Sequence, residues 1–219
     1  MKITTLIRND FYFFMGLVFW LIMMIGFSDN WLFDVGQPSN SIPRLIIHGL
    51  FAFLWYSLFL IQAGLIRKRK IGLHRKLGIV GIFIFAGMTL STGYLFLAMY
   101  LRNGDLNPLS YMTSSQWVFG VVLVVIAYLK RRSDTRSHKM NMLFANLWFI
   151  QAAMDRFVER FIPSLDSGYP DFYIPVWFLF YGILFATLIW YYKKIPWQLS
   201  IGFIIWTAGF IYAFINNDF

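Results

Sequence analysis

The chain has 219 residues, of which 59% are hydrophobic and only 13% are charged, and its formal net charge is +9. A soluble domain is about 45–50% apolar and about 25% charged, so this composition excludes an ordinary soluble globule and indicates an integral membrane protein. The chain contains no cysteine, which excludes disulfides and thiolate metal sites. Its basic residues lie in short loops between apolar segments, which favours the lipid bilayer over nucleic acid as the partner.

Seven apolar segments follow one another along the chain, and each is close to the roughly 17–25 residues that a transmembrane helix needs. The first segment is too long for the core of a signal peptide, so we predict that it is a retained span. Because the connections are short, we predict an all-α fold, with one transmembrane domain over residues 1–219 built as a bundle of seven helices. The predicted spans are 11–28, 45–66, 77–101, 111–129, 140–161, 172–192 and 197–215.

The distribution of lysine and arginine predicts the orientation of these spans. Fifteen of the basic residues fall in the N-terminal tail and the second, fourth and sixth loops, against four on the other side. Since cytoplasmic loops carry the excess of positive charge, the N-terminus is predicted in the cytoplasm and the C-terminus outside. Every lysine then lies in a cytoplasmic loop or tail, which excludes a retinal-binding photoreceptor because no intramembrane lysine is available.

The second span carries a polar stripe. His48, Trp55 and Gln62 recur every seven residues, so on a helix they lie along one face. A polar face inside lipid is expected to contact protein. His48 lies one turn beyond Arg44 and is therefore predicted near the outer membrane boundary.

Two further histidines, His74 and His138, lie at the predicted cytoplasmic boundary, where they open the third and fifth spans. Two histidines at equal depth on two helices meet the requirement for a haem b held between two imidazoles. The alternative is that each histidine binds lipid phosphate or caps a helix end beside its basic neighbours. In the third span, Ser91 and Thr92 are interpreted as small residues for close helix packing.

The fifth segment ends in charged residues at a depth where a membrane helix should still be apolar. The rise from Lys139 to Asp155 is about 24 Å, short of the roughly 30 Å hydrocarbon core. Asp155, Arg156 and Glu159 are therefore predicted at about the depth of His48, and a charge inside the membrane is a candidate functional site.

Three interpretations of this outer cluster stay open. In the first, the four charges Asp155, Arg156, Glu159 and Arg160 lie three and four residues apart, sum to zero and neutralise one another. Alternatively, His48 with Asp155 and Glu159 forms a site for a divalent metal or for acid–base chemistry. In the third interpretation, Arg156 anchors a polar or anionic ligand. Gln151, in the same span, is interpreted as an interhelical hydrogen-bonding group.

The stretches HGLFAFLWYSLFLIQAGLI, GLHRKLG and SHKMNMLFA resemble the motifs of a family of bacterial inner-membrane proteins of no established activity. The family pattern has His-Gly, Trp and Gln on the second span, Leu-His-Arg-x-Leu-Gly opening the third, and His-Lys opening the fifth. This chain continues His-Lys-Met-Asn-Met where the family has His-Lys-Arg-Leu-Met, so it lacks one basic group. The resemblance implies a multi-pass protein of the bacterial inner membrane. The matching positions are His48, Gly49, Trp55, Gln62, His74, Arg75, Gly78, His138 and Lys139.

Two function hypotheses follow from these features. The first is a non-enzymatic membrane protein: a scaffold or subunit with a membrane-protein partner, or a protein that binds a lipid or a small ligand at a buried polar site between the second and fifth spans. The second is a membrane redox or metal-dependent enzyme that holds haem b or a divalent metal through its histidines.

Overall fold

The computed structural model describes residues 10–33, 36–104, 106, 108–161 and 173–215. Within these residues every regular element is a helix and no strand is present, which confirms the all-α prediction. The predicted inner residues 1–9 and the predicted outer residues 162–172 and 216–219 lie outside the described residues. The helices are α1 (Phe11–Gly26), α2 (Ser28–Trp31), the 3-10 turn Pro38–Ser41, α3 (Pro43–Arg67), α4 (Ile71–Asn103), α5 (Pro108–Lys130), α6 (Thr135–Phe149), α7 (Gln151–Phe161), α8 (Tyr173–Tyr192) and α9 (Trp197–Ile215).

Among the described residues, three helices are long and apolar enough to cross a membrane: Pro43–Arg67, Ile71–Asn103 and Ser110–Lys130. Shorter apolar helices cover Phe11–Gly26, Phe178–Tyr192 and Trp197–Tyr212. In the longest helix only 11% of the apolar window is buried inside the protein. Such an apolar surface is stable against lipid and would promote association in water. Length and composition are therefore those of a membrane protein, whereas the seven spans and their orientation stay predictions.

Helix α4 begins earlier than the predicted third span. It starts at Ile71 rather than at residue 77, so His74 and the neighbouring basic residues lie on the helix itself. Its 33 residues span about 50 Å, longer than the roughly 30 Å hydrocarbon core. The prediction placed the boundary where hydropathy rises, but charged residues with long side chains are good helix formers and extend the helix beyond the apolar region.

The predicted fifth span is interrupted. Helix α6 ends at Phe149 and α7 begins at Gln151, with Ile150 between them at φ −80° and ψ −4°. No proline or glycine lies between residues 140 and 161, so no sequence breaker accounts for the interruption. Ile150 is fully buried and the ring of Phe149 lies against Gly120 of α5, which indicates that tertiary packing sets the position of the break.

The chain divides into two compact units, an N-terminal unit (Met1–Gly104) and a C-terminal unit (Asp105–Phe219). The prediction of a single transmembrane domain over residues 1–219 stays a prediction. Each unit is built around one helix that contacts several others.

In the N-terminal unit, α3 packs against α1 on one side and against α4 on the other. The indole Nε1 of Trp20 on α1 donates a hydrogen bond of 3.1 Å to Ser57 Oγ on α3. Helices α3 and α4 run antiparallel, and glycines on α4 allow a close approach: a Cβ added at Gly81 would lie 2.9 Å from Leu58 Cδ2.

In the C-terminal unit, α5 makes the most extensive contacts, against α6 and α9, and α6 also contacts α9. Most of the apolar side chains of α6 are buried. The indole of Trp148 lies among three neighbouring helices, with ring centroids 6.3 Å from Phe119 on α5 and 6.0 Å from Phe185 on α8. Its Nε1 donates a 3.3 Å hydrogen bond to the carbonyl of Gln198 on α9. Trp148 is therefore the packing centre of this unit.

Candidate functional site

The ring of His48 is held between α3 and α4 in the N-terminal unit. His48 is half-buried, and its Nδ1 lies 3.3 Å from Ser91 Oγ and 3.3 Å from Thr92 Oγ1. Both hydroxyls come from consecutive residues of α4, so two side chains of one helix turn hold one ring nitrogen of the other helix.

The hydroxyl protons of Ser91 and Thr92 are already used in other hydrogen bonds. Ser91 Oγ donates to the carbonyl of Met88 at 3.0 Å, and Thr92 Oγ1 donates to the same carbonyl at 2.7 Å. A hydroxyl has one proton, so each oxygen presents only lone pairs to His48. Nδ1 must therefore carry the proton and donate it to both oxygens. In the neutral ring, Nε2 is then the atom with a free lone pair.

Nε2 is the chemically available atom of this site. Among the described residues it has no hydrogen-bond partner. In the neutral ring, Nε2 can accept a proton or bind a metal ion. In the imidazolium, Nε2–H donates a hydrogen bond to an anion.

The start of α3 adds positive character beside His48. Arg44 is exposed and lies one turn before His48, so the two side chains share a face of the helix. The first turn of α3 contains no acidic residue. Because the first backbone N–H groups of a helix are not used within it, this end also carries a partial positive charge.

The other two residues of the predicted polar stripe also face α4. Trp55 is buried, with its ring centroid 5.3 Å from that of Phe85. Gln62 lies at Gly78, where an added Cβ would be 3.9 Å from its Nε2. His48, Trp55 and Gln62 thus line a single α3–α4 contact along about two-thirds of α3.

Sequence reasoning missed Ser91 and Thr92 as partners of His48 and assigned them to helix packing alone. The signal was present in part, because Ser91 and Thr92, together with Thr89, interrupt an otherwise apolar stretch of α4. The antiparallel register of α3 and α4, which brings them to His48, is not encoded in that local pattern.

The remaining residues of the predicted outer cluster belong to the C-terminal unit. Asp155 and Arg156 are half-buried on α7 and Glu159 is exposed, whereas the side chain of Arg160 lies outside the described residues. The site that combines His48 with these charges, and the pairing of the charges with one another, both stay predictions. Gln151 is buried at the start of α7.

The two predicted haem ligands also belong to different units. His74 is half-buried on the first turns of α4. His138 Nδ1 donates a 2.9 Å hydrogen bond to the carbonyl of Ala127 on α5, which fixes its ring orientation. Within either unit, the described residues contain no group of three or more His, Asp or Glu side chains placed to hold a metal ion. Haem b and metal binding stay predictions.

Comparison with known proteins gives no match: no protein-family model, curated protein or solved structure matches the chain. The resemblance to a family of bacterial inner-membrane proteins therefore stays a prediction.

Proposed function

We propose that this chain is a multi-pass protein of the bacterial inner membrane, with seven spans and a cytoplasmic N-terminus, and that it binds an anionic phosphate-type group at the outer end of α3. His48 and Arg44 are the proposed contacts. The observation that carries the proposal is the fixed Nδ1 of His48, held by Ser91 and Thr92, which leaves Nε2 available.

The geometry favours ligand binding over a purely structural role. Nε2 of His48 is not one of the buried side-chain atoms that lack a hydrogen-bond partner, so a ligand can reach it. Here one nitrogen is fixed by two acceptors, and the other has no partner among the described residues. Ser91 and Thr92 therefore act as positioning residues that fix the orientation of the His48 ring.

Two features favour an anion over a cation when His48 is protonated, so that Nδ1–H donates to the hydroxyls and Nε2–H donates to the anion. The guanidinium of Arg44 supplies a second charge-assisted donor one turn away. The N-terminal end of α3 adds favourable electrostatics without a competing acid in its first turn.

The anionic group could come from two sources, the phosphate of a lipid headgroup or free phosphate in solution. Native mass spectrometry of the protein released from phosphatidylglycerol nanodiscs would detect retained lipid. Titration of inorganic phosphate into the protein in phosphatidylcholine nanodiscs would detect the free anion. Binding in the first arm alone assigns a lipid ligand, and binding in the second assigns a soluble one.

The His48→Asn variant tests the role of the ring. The asparagine Nδ2 can take the position of Nδ1 and donate to Ser91 and Thr92, but it offers nothing in place of Nε2. We expect the variant to keep its thermal stability and to lose binding by about tenfold or more, since one charge-assisted hydrogen bond contributes about 1.5–3 kcal/mol. Gly49→Ala is the matched control, because a Cβ at Gly49 meets nothing within 4 Å. Wild-type affinity in His48→Asn, or no binding in either arm, would overturn the proposal.

A further inference from the structure

A second polar feature lies in the C-terminal unit. Gln116 on α5 is 2% exposed and Gln151, the first residue of α7, is 4% exposed. Each is a side-chain amide in an apolar protein interior. Amides in such positions are expected to be hydrogen-bonded.

The packing of α5 against α6 brings these two amides to the same level. Phe119 contacts Trp148, and the ring of Phe149 lies against Gly120. The His138 ring bonds Ala127, so residue numbers on α5 fall as those on α6 rise. The two helices are therefore antiparallel.

One turn before Phe119 and Gly120 on α5 is Gln116, and one turn after Trp148 is Gln151. Residues one turn apart share a helix face. Gln116 and Gln151 therefore lie at the same level of the contact between α5 and the α6–α7 segment.

Each amide has an unsatisfied atom. Nε2 of Gln116 and Oε1 of Gln151 have no hydrogen-bond partner among the described residues. Elsewhere in the same unit, the amides of Gln198 and Asn141 bond each other directly at 3.0 Å. Gln116 and Gln151 thus present a donor and an acceptor that are not used by each other.

The helix interruption is at the same place. Ile150, between α6 and α7, directly precedes Gln151. Interrupted helices in membrane proteins are found where the backbone lines a binding site or cavity, because an irregular backbone in lipid would be unsatisfied. The interruption therefore lies at the level of the two amides.

We propose that Gln116 and Gln151 bind a hydroxyl group between them. A single O–H group meets both demands, because its oxygen accepts the hydrogen bond from Gln116 Nε2 and its proton is donated to Gln151 Oε1. The ligand is either a water molecule or the hydroxyl of a glycerol-type lipid headgroup or solute. Both glutamines belong to the C-terminal unit, whereas His48 belongs to the N-terminal unit.

Solid-state NMR on the full chain in bilayers tests this proposal. With glutamine side chains labelled with nitrogen-15, magnetisation transfer from hydroxyl protons to the amide of Gln116 would be measured. Diacyl phosphatidylcholine has no hydroxyl, so transfer in that bilayer identifies water. Transfer only in phosphatidylglycerol bilayers identifies the lipid hydroxyl. Either result supports the site, and the signal should be lost in Gln151→Leu, which removes the acceptor.

Two outcomes would overturn the proposal. One is the absence of transfer to Gln116 in both bilayers, and the other is a direct correlation between the two amides, which would show that they bond each other. Thermal unfolding provides a second measurement. If the pair shares a ligand, the double variant Gln116→Leu with Gln151→Leu should unfold at a temperature no lower than either single variant, because no polar atom is then left unsatisfied. Additive losses in the double variant would contradict a shared ligand.

Discussion

Replacing Trp148 by alanine should lower the free energy of unfolding of the C-terminal unit by about 3–5 kcal/mol, the range found for Trp→Ala in protein cores. Trp148 is 2% exposed and contacts side chains of α5 and α8 and the backbone of α9. Its removal leaves a cavity where these helices meet and removes the indole hydrogen bond to the Gln198 carbonyl. Unfolding in detergent micelles, followed by circular dichroism, would measure the loss.

Trp197→Ala is the control for this prediction. Trp197 begins α9 and is 48% exposed, so its removal creates little cavity, and we expect a much smaller loss of stability. Equal losses in the two variants would show that Trp148 is not the packing centre of the unit.

The second large effect is expected at Gly202 on α9. A Cβ added there would overlap Cε2 and Cζ2 of Trp148. The indole is rigid and buried, so it cannot rotate away, and Gly202→Ala should destabilise the unit by about 1–3 kcal/mol, the usual cost of overpacking a core. The same unfolding measurement applies.

Gly182→Ala on α8 is the matched control, because nothing lies within 4 Å of a Cβ at that position. That variant should be neutral or slightly stabilising, since alanine has the higher helix propensity. Gly202→Ala introduced together with Trp148→Ala should add little to the loss caused by Trp148→Ala alone, because the overlapping ring is gone. If the two losses of stability added fully in this double variant, the effect of Gly202→Ala would not come from overlap with the Trp148 ring.

Much of the helical architecture was predictable from hydropathy. Helices occupy all seven predicted apolar segments, and the bounds of α9 agree with the prediction at both ends. This agreement has a physical basis, because a backbone in lipid must satisfy its polar groups within one segment, which leaves the helix as the default. The early start of α4 was not predicted, since hydropathy reports the apolar region and not the end of the helix.

The candidate site was only partly predictable. The seven-residue spacing of His48, Trp55 and Gln62 indicated a shared face, and all three contact α4. Their partners depend on the register between two helices, which no local pattern contains. The interruption at Ile150 was missed for a related reason, because it coincides with packing against Gly120 and with no proline or glycine nearby.

The tautomer of the His48 ring, and its response to ligand, test the proposed site most directly. The chain has three histidines, so nitrogen-15 NMR of histidine-labelled protein in nanodiscs gives few signals, and His48→Asn assigns the one of interest. We predict that neutral His48 carries its proton on Nδ1. Adding phosphatidylglycerol or phosphate should shift the Nε2 signal while Nδ1 stays protonated. A neutral ring with its proton on Nε2, or an Nε2 signal unchanged by either ligand, would contradict the proposed site.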